Sequence, residues 1–282
     1  MTYYTDKLHI VPFYILEKYL YRSSLIPLAL TNKYFLREVH TKTRSFTIEI
    51  YNPEAGIGFS KFKNVKLEIR DAKKFNDENL KLMTKAIYLY LSKTSTITND
   101  GIQNLINLKY LILDNNDFIT DFGLRNLTNI IDLELGANEK ITDFGLMNLK
   151  NLISLDLTFN KLISDTGLAA LNKLQVLSLS NCESITNKGI MPLVNLVMLN
   201  LLSNNKITGD GLISLTNLTA LDLQQNTIIS DNDIIPLTNL ELLNIDDNEI
   251  ISTYSLHQLP KLRSRFLDFW DHAIELIEAQ LD

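Results

Sequence analysis

The side chains of this sequence that could do chemistry are few and poorly spaced for it. His9, His40, His257 and His272 fall in different parts of the chain and form no metal-ligand spacing. Asp246 and Asp247 are adjacent carboxylates; on a strand such neighbours point to opposite faces and do not converge on one substrate. The stretch Asn52-Pro53-Glu54-Ala55-Gly56-Ile57-Gly58 has glycines like a phosphate-binding loop but no Lys-Ser or Lys-Thr ending, so its composition predicts an ordinary loop. The single cysteine, Cys182, supports neither a disulfide framework nor a metal cluster and favours a reducing compartment. These residues predict no enzyme, no metal and no cofactor.

The elements that would position them are written on a grid. Gly101, Gly123, Gly145, Gly167, Gly189 and Gly211 recur every 22 residues. Leu111, Leu133, Leu155, Leu177, Leu199, Leu221 and Leu243 share that spacing, as do Leu113, Leu135, Leu157, Leu179, Leu201, Leu223 and Ile245. Asn116, Asn138, Asn160, Cys182, Asn204, Asn226 and Asn248 follow three residues later, then an isoleucine column from Ile119 to Ile251, each isoleucine followed by Thr or Ser. The unit reads L-x-x-L-x-L-x-x-N-x-x-I-[TS]-D-x-G-L-x-x-L-x-N. Its L-x-L core has the period of a strand buried on one face, and G-L-x-x-L sets two apolar residues one helical turn apart. The Asn column predicts buried amides that satisfy backbone groups at the turn, and the Thr or Ser column predicts N-caps.

These units resemble leucine-rich repeats, whose N/C position admits Cys182. No unit buries its leucines alone, so neighbours must stack. The resemblance implies an α/β solenoid with a parallel β-sheet on its concave face and short helices or 3₁₀ turns on its convex face. Four parts follow: a helical module over 1–45, a linker and degenerate repeat over 46–78, the repeats over 79–260, and a capping helix over 261–282. Leu67 and Ile69, 22 residues before Leu89 and Leu91, mark the worn repeat, and Phe46, Ile48 and Ile50 alternate as an edge strand would.

Residues 8–40 lie off the grid. Val11-Pro12, an amphipathic stretch with Ile15, Leu16, Tyr19 and Leu20 on one face, and the series Leu25, Leu28, Leu30 ending in Thr31-Asn32-Lys33-Tyr34 resemble the F-box, with Val for Leu, Thr for Cys and Tyr for Trp. An N-terminal cap for the solenoid would show the same helices. The F-box resemblance implies docking on a Skp-type adaptor of a cullin complex through Val11, Pro12, Ile15, Leu16, Leu20, Leu25 and Leu28. A protein substrate for ubiquitin transfer would then lie on the repeats. The other readings are a plain repeat interaction module and a secreted adhesin similar to the internalins, which also use 22-residue repeats.

Charge and alternation place the binding surface. The chain carries net charge -6, but residues 1–66 hold 10 Lys and Arg against 5 Asp and Glu (+5), whereas 79–260 hold 11 against 19 (-8). An acidic solenoid is a poor nucleic-acid binder. With no charged start followed by an apolar run and no apolar stretch of 18 residues, an intracellular protein off the membrane is expected, a host cell included. Residues that alternate with the strand leucines face the concave side. Tyr88, Tyr90 and Tyr110 cluster there with Ile112, beside Asp114, Asp132, Glu134 and Asp156, and Asn200 and Asp222 follow in the same columns. Tyrosines as anchors and carboxylates as steering charges predict a partner with a basic surface. Tyrosines that pack on one another and acids that keep the surface soluble would leave the same pattern.

Overall fold

The computed structural model describes residues 46–51, 53–60, 65–91 and 96–263. The helical module expected over 1–45, with Val11, Pro12, Ile15, Leu16, Leu20, Leu25 and Leu28, lies outside them. So do residues 264–282 of the capping helix expected over 261–282.

Ten strands alternate with ten helices in the described residues. In order they are β1 (Phe46–Glu49), α1 (Pro53–Ser60), β2 (Val65–Ile69), α2 (Asp77–Leu80), β3 (Ala86–Tyr90), α3 (Asn99–Ile102) and β4 (Tyr110–Ile112). Then come α4 (Asp121–Leu124), β5 (Asp132–Glu134), α5 (Asp143–Leu146), β6 (Ser154–Asp156), α6 (Asp165–Leu168), β7 (Val176–Ser178) and α7 (Asn187–Ile190). The last are β8 (Met198–Asn200), α8 (Gly209–Leu212), β9 (Ala220–Asp222), α9 (Asp231–Ile234), β10 (Leu242–Asn244) and α10 (Thr253–Gln258). The strands form one sheet in sequence order, every pair parallel. From β3 onward the register equals the repeat: Leu89 pairs Leu111, Leu111 pairs Leu133, and so on to Leu243.

The leucine columns fuse into one core running from Ile50 to Leu259. At roughly 1.5–3 kcal/mol per buried aliphatic side chain, the repeats offset their chain entropy only together. Each turn after a strand from β4 onward places its residue before the Asn column in the left-handed region, from Asn115 (φ 52°) to Asp247 (φ 54°). That residue turns its N–H to the next repeat: Ala137 N donates to Thr158 O at 2.7 Å and Phe159 N to Ser180 O at 3.0 Å. The buried amide behind it ties its own turn to the preceding repeat. Asn138 Nδ2 donates to Leu113 O at 2.9 Å and to Asn116 O at 3.1 Å, while its Oδ1 accepts from the N–H groups of Lys140 and Ile141. Cys182 holds this place with two weak Sγ contacts, to Asn160 O at 3.5 Å and to Ser184 Oγ at 3.4 Å.

The Thr and Ser column stands at the N-cap positions, where Thr98, Thr142, Ser164 and Thr186 accept the cap hydrogen bond and Thr120, Thr208 and Ser252 do not. Thr142 Oγ1 accepts from Phe144 N at 3.3 Å, and the preceding repeat supports the cap, Asp121 accepting from Thr142 N at 2.8 Å and from its Oγ1 at 2.7 Å. This contact explains the glycine column: a Cβ at Gly145 would lie 2.6 Å from Asp121 Oδ1, and one at Gly167 would lie 2.5 Å from Asp143 Oδ1. Where the chain has Gly209 in place of that Asp, the next glycine position holds Asp233. Asp233 then caps its own repeat, accepting from Ser230 N and Oγ at 2.8 Å.

Three expectations give way. Residues 53–60 form α1, not a loop, because Pro53 suits a first helical turn and Gly56 serves close packing, a Cβ there lying 2.7 Å from Met83 Sδ. The worn repeat does not keep the 22-residue offset: Ile69 pairs Leu89 and Leu67 pairs Ala86, with an irregularity after Leu67 that absorbs the difference. Asp246 and Asp247 lie past the end of β10, with Asp247 in the left-handed turn, so turn geometry rather than strand alternation separates them.

Candidate functional site

Strand alternation brings Tyr88, Tyr110, Asp132 and Ser154 side by side across β3–β6, with Tyr90, Ile112, Glu134 and Asp156 as the adjoining row. The Tyr88 and Tyr110 rings sit 6.0 Å apart, tilted by 35°. Arg70, at the end of β2, lays its guanidinium 4.6 Å from the centre of the Tyr88 ring and pairs with Glu68 at 2.9 Å and Glu49 at 3.1 Å. Burial pushes the Tyr88 hydroxyl up to about 12.

The four acids form one group. Gly136, without a side chain, lets Asp114 fold over it and accept its N–H at 2.6 Å; a Cβ there would lie 2.9 Å from Asp114 Oδ1. Glu134 hydrogen-bonds to Asp114, and burial together with the Asp114, Asp132 and Asp156 charges pushes its carboxyl up to about 8. At neutral pH it therefore holds a proton to donate to Asp114, whose own carboxyl is raised by burial against the pull of the Gly136 N–H and Glu134. Asp156, buried, accepts from Thr158 N at 2.8 Å and Thr158 Oγ1 at 2.5 Å, and burial still raises it to about 6. Burial likewise holds Asp132 up at about 6 against the pull of the Ser154 hydroxyl beside it, and beyond each other neither Asp132 Oδ1 nor Ser154 Oγ has a hydrogen-bond partner.

The face is more closed than alternation predicts. Tyr90 is exposed, the other tyrosines, Ile112, Asp114, Asp132 and Glu134 are half-buried, and Asp156, Asn200 and Asp222 are buried. Strands about 4.8 Å apart crowd the side chains on one face. Asn200 and Asp222 do not join the acid group. Ser178 on β7 separates them from Asp156, the row beside them is the apolar Val176, Met198 and Ala220, and the Asn200 and Asp222 carbonyl and carboxylate oxygens serve their own turns, Asn200 Oδ1 accepting from Leu202 N and Asp222 Oδ1 from Gln224 N, each at 2.9 Å. Arg70, Gly136, Ser154 and Thr158 complete the site without having been singled out. Of these Ser154, Gly136 and Thr158 fall in the concave-face columns by spacing, and Arg70 left no trace.

Among the described residues no three His, Cys, Asp or Glu side chains are grouped to hold a metal ion, and no helix is long and apolar enough to cross a membrane. The arrangement offers aromatic contact, acceptors in excess of donors and negative charge, which suits binding of a cationic surface.

The family model for the Leucine Rich repeat matches residues 148–171, 170–194 and 214–238. No curated protein sequence matches the chain. Among solved structures it is similar to internalin C2 of Listeria monocytogenes, at 35% identity over 67% of this chain and 82% of that one, with a TM-score of 0.51. The internalin inlF of the same organism shares 24% identity over 73% of this chain and 67% of that one, with a TM-score of 0.50. A chain of the yeast Rad7 and Elc1 complex shares 19% identity over 83% and 68% of the two chains, with a TM-score of 0.59. The last two are likenesses of fold.

Proposed function

The chain belongs to the leucine-rich-repeat proteins, and on that premise we propose that it is a non-catalytic receptor holding a basic protein partner on the concave face of β3–β6. One observation carries this: an exposed Tyr90 and the Tyr88–Tyr110 pair border four acids, none of them ion-paired among the described residues. Aromatic anchors beside steering charge are the usual make-up of an interface hot spot. A photo-crosslinking residue at position 90 should capture a partner, and Ile112→Ala with Tyr110→Ala should abolish the capture while the melting curve keeps its cooperativity. Capture that survives both substitutions overturns the reading.

The F-box resemblance of Val11-Pro12 and the leucine series adds a finer reading, that the receptor serves a cullin-RING ubiquitin ligase inside the cell. A Skp-type adaptor bound at Val11, Pro12, Ile15, Leu16, Leu20, Leu25 and Leu28 would tether the substrate near the transferring enzyme, and proximity would be the mechanism. Co-purification with a Skp-type adaptor that Pro12→Ala with Leu16→Ala removes would support it. No binding by the folded chain leaves the plain interaction module. The internalin C2 relative favours a third reading, an adhesin, under which the concave face would engage a cell-surface protein instead.

A further inference from the structure

Two polar atoms on the concave face have no partner beyond each other. The Ser154 hydroxyl eases the burial of Asp132, but neither Asp132 Oδ1 nor Ser154 Oγ bonds to any further group although Ser154 is fully buried, and the two residues are register partners across β5 and β6. Buried polar atoms of folded proteins are nearly always fully paired, so a buried carboxyl eased by one hydroxyl alone on a binding face calls for a partner from outside. Beside them stand the carboxyls of Glu134 and Asp156, also register partners. The space above these four residues thus has acceptors on several sides and, among the described residues, no cation.

The geometry points to a subsite for one arginine side chain of the protein partner, its guanidinium held by Asp132 and Ser154 below and by Glu134 and Asp156 beside, with the Tyr88–Tyr110 pair at its edge. This rests on the receptor reading above and names what the acid group recognises. A guanidinium carries five N–H donors in a rigid plane and stacks on aromatic rings, which an ammonium does not match. The molecule already shows the second half of this chemistry, since Arg70 holds its guanidinium over the Tyr88 ring, 4.6 Å from its centre. A bare metal ion is a poorer occupant, because no three of these ligands converge.

Charge gives the subsite a pH dependence. Glu134 faces Asp114 just past β4, Asp132 on its own strand and Asp156 on β6, with Tyr88 further along and, among the described residues, no Lys or Arg paired to any of the acids. It holds its proton until a cation arrives, so binding releases that proton. Affinity for arginine therefore rises with pH and levels off above the point where Glu134 ionises unaided, at about 8.

Acetyl-arginine methylamide, its lysine counterpart and its uncharged citrulline counterpart, titrated into the full chain and followed by amide chemical shifts, test the assignment. Arginine should saturate and shift residues of β4–β6, binding at least tenfold more tightly than citrulline and more tightly than lysine. Asp132→Asn should weaken it by about tenfold, and Glu134→Gln should flatten the pH profile. Glu183→Gln, the same charge removed from an exposed turn, should leave it unchanged. Equal binding of arginine and citrulline, equal binding of arginine and lysine, or equal weakening by Glu183→Gln overturns the subsite. Partner capture at position 90 that persists without arginine binding fails the subsite alone, whereas loss of both fails the receptor reading as well.

Discussion

Glu134 keeps its proton at neutral pH because its surroundings reward the neutral acid: it is half-buried, three other carboxyls are near, and Asp114 is ready to accept its hydrogen bond. An acid whose folded pKa, about 8, lies above its ordinary 4.5 contributes stability that is complete below about 4.5 and lost as pH rises through 8. Asp132 and Asp156, held near 6, act in the same direction at lower pH. The protein should therefore melt at a lower temperature at pH 8.5 than at pH 5.5. Glu134→Gln, which keeps a donor for Asp114 and cannot ionise, should raise the melting temperature at pH 8.5 by roughly 2–4 °C or more and change little at pH 5.5. Scanning calorimetry across that range checks it, and an equal effect at both pH values would mean that Glu134 is solvated and charged. The sequence told which acids share the concave face, because alternation is a property of any strand. It did not tell how deeply they sit, since burial there comes from the close stacking of neighbouring strands, and it gave no sign that Gly136 opens a place for Asp114.

At the scale of the turn and its helix, the D-x-G wording of the repeat is a contact between repeats rather than within one. The Asp of one unit caps the next, and the glycine two residues on in that next unit has no Cβ because the carboxylate fills its place. The exchange at Gly209 and Asp233 is the same contact with donor and space reversed: a Cβ at Gly209 would lie 1.8 Å from Asp233 Oδ1. Asp233→Gly alone strips Ser230 of its acceptor, which should cost about 1–3 kcal/mol. Gly209→Asp alone drives two carboxylates together and should cost at least as much, whereas both changes together should restore the usual lock and lie within about 1 kcal/mol of the parent. Urea denaturation of the four proteins decides, and additive losses would refute the exchange. The columns were legible from spacing alone because a fixed period forces every unit into one shape. The partner of each Asp was not, because the contact spans 21 residues and the sequence shows only that both columns exist.

Over the whole molecule, pairing runs between sequence neighbours, strand to next strand and helix to next helix, so the solenoid behaves as a one-dimensional array in which a unit can be removed without disturbing distant ones. The first strands depart from this regularity. There a five-residue β2 with a register shift and the longer α1 replace the standard unit, which is why the grid read from Leu67 failed by two residues while the grid from Leu89 onward held. Excision of residues 165–186 joins Ser164 to Asn187, keeps the Asp143 cap on Ser164 and the Asn187 contact to Thr208, and brings Leu199 beside Leu155. It also removes Cys182, so the Asn column becomes continuous from Asn160 to Asn204. The shortened chain should fold with a cooperative transition at a somewhat lower temperature, and because β3–β6 are untouched it should bind acetyl-arginine methylamide with unchanged affinity. Excision of residues 165–185 is the control: one residue out of register, it sends the strand leucines to the wrong face and should abolish folding. Circular dichroism and the same titration distinguish the outcomes, and a shortened in-register chain that folds but no longer binds arginine would show that the subsite depends on more of the solenoid than β3–β6.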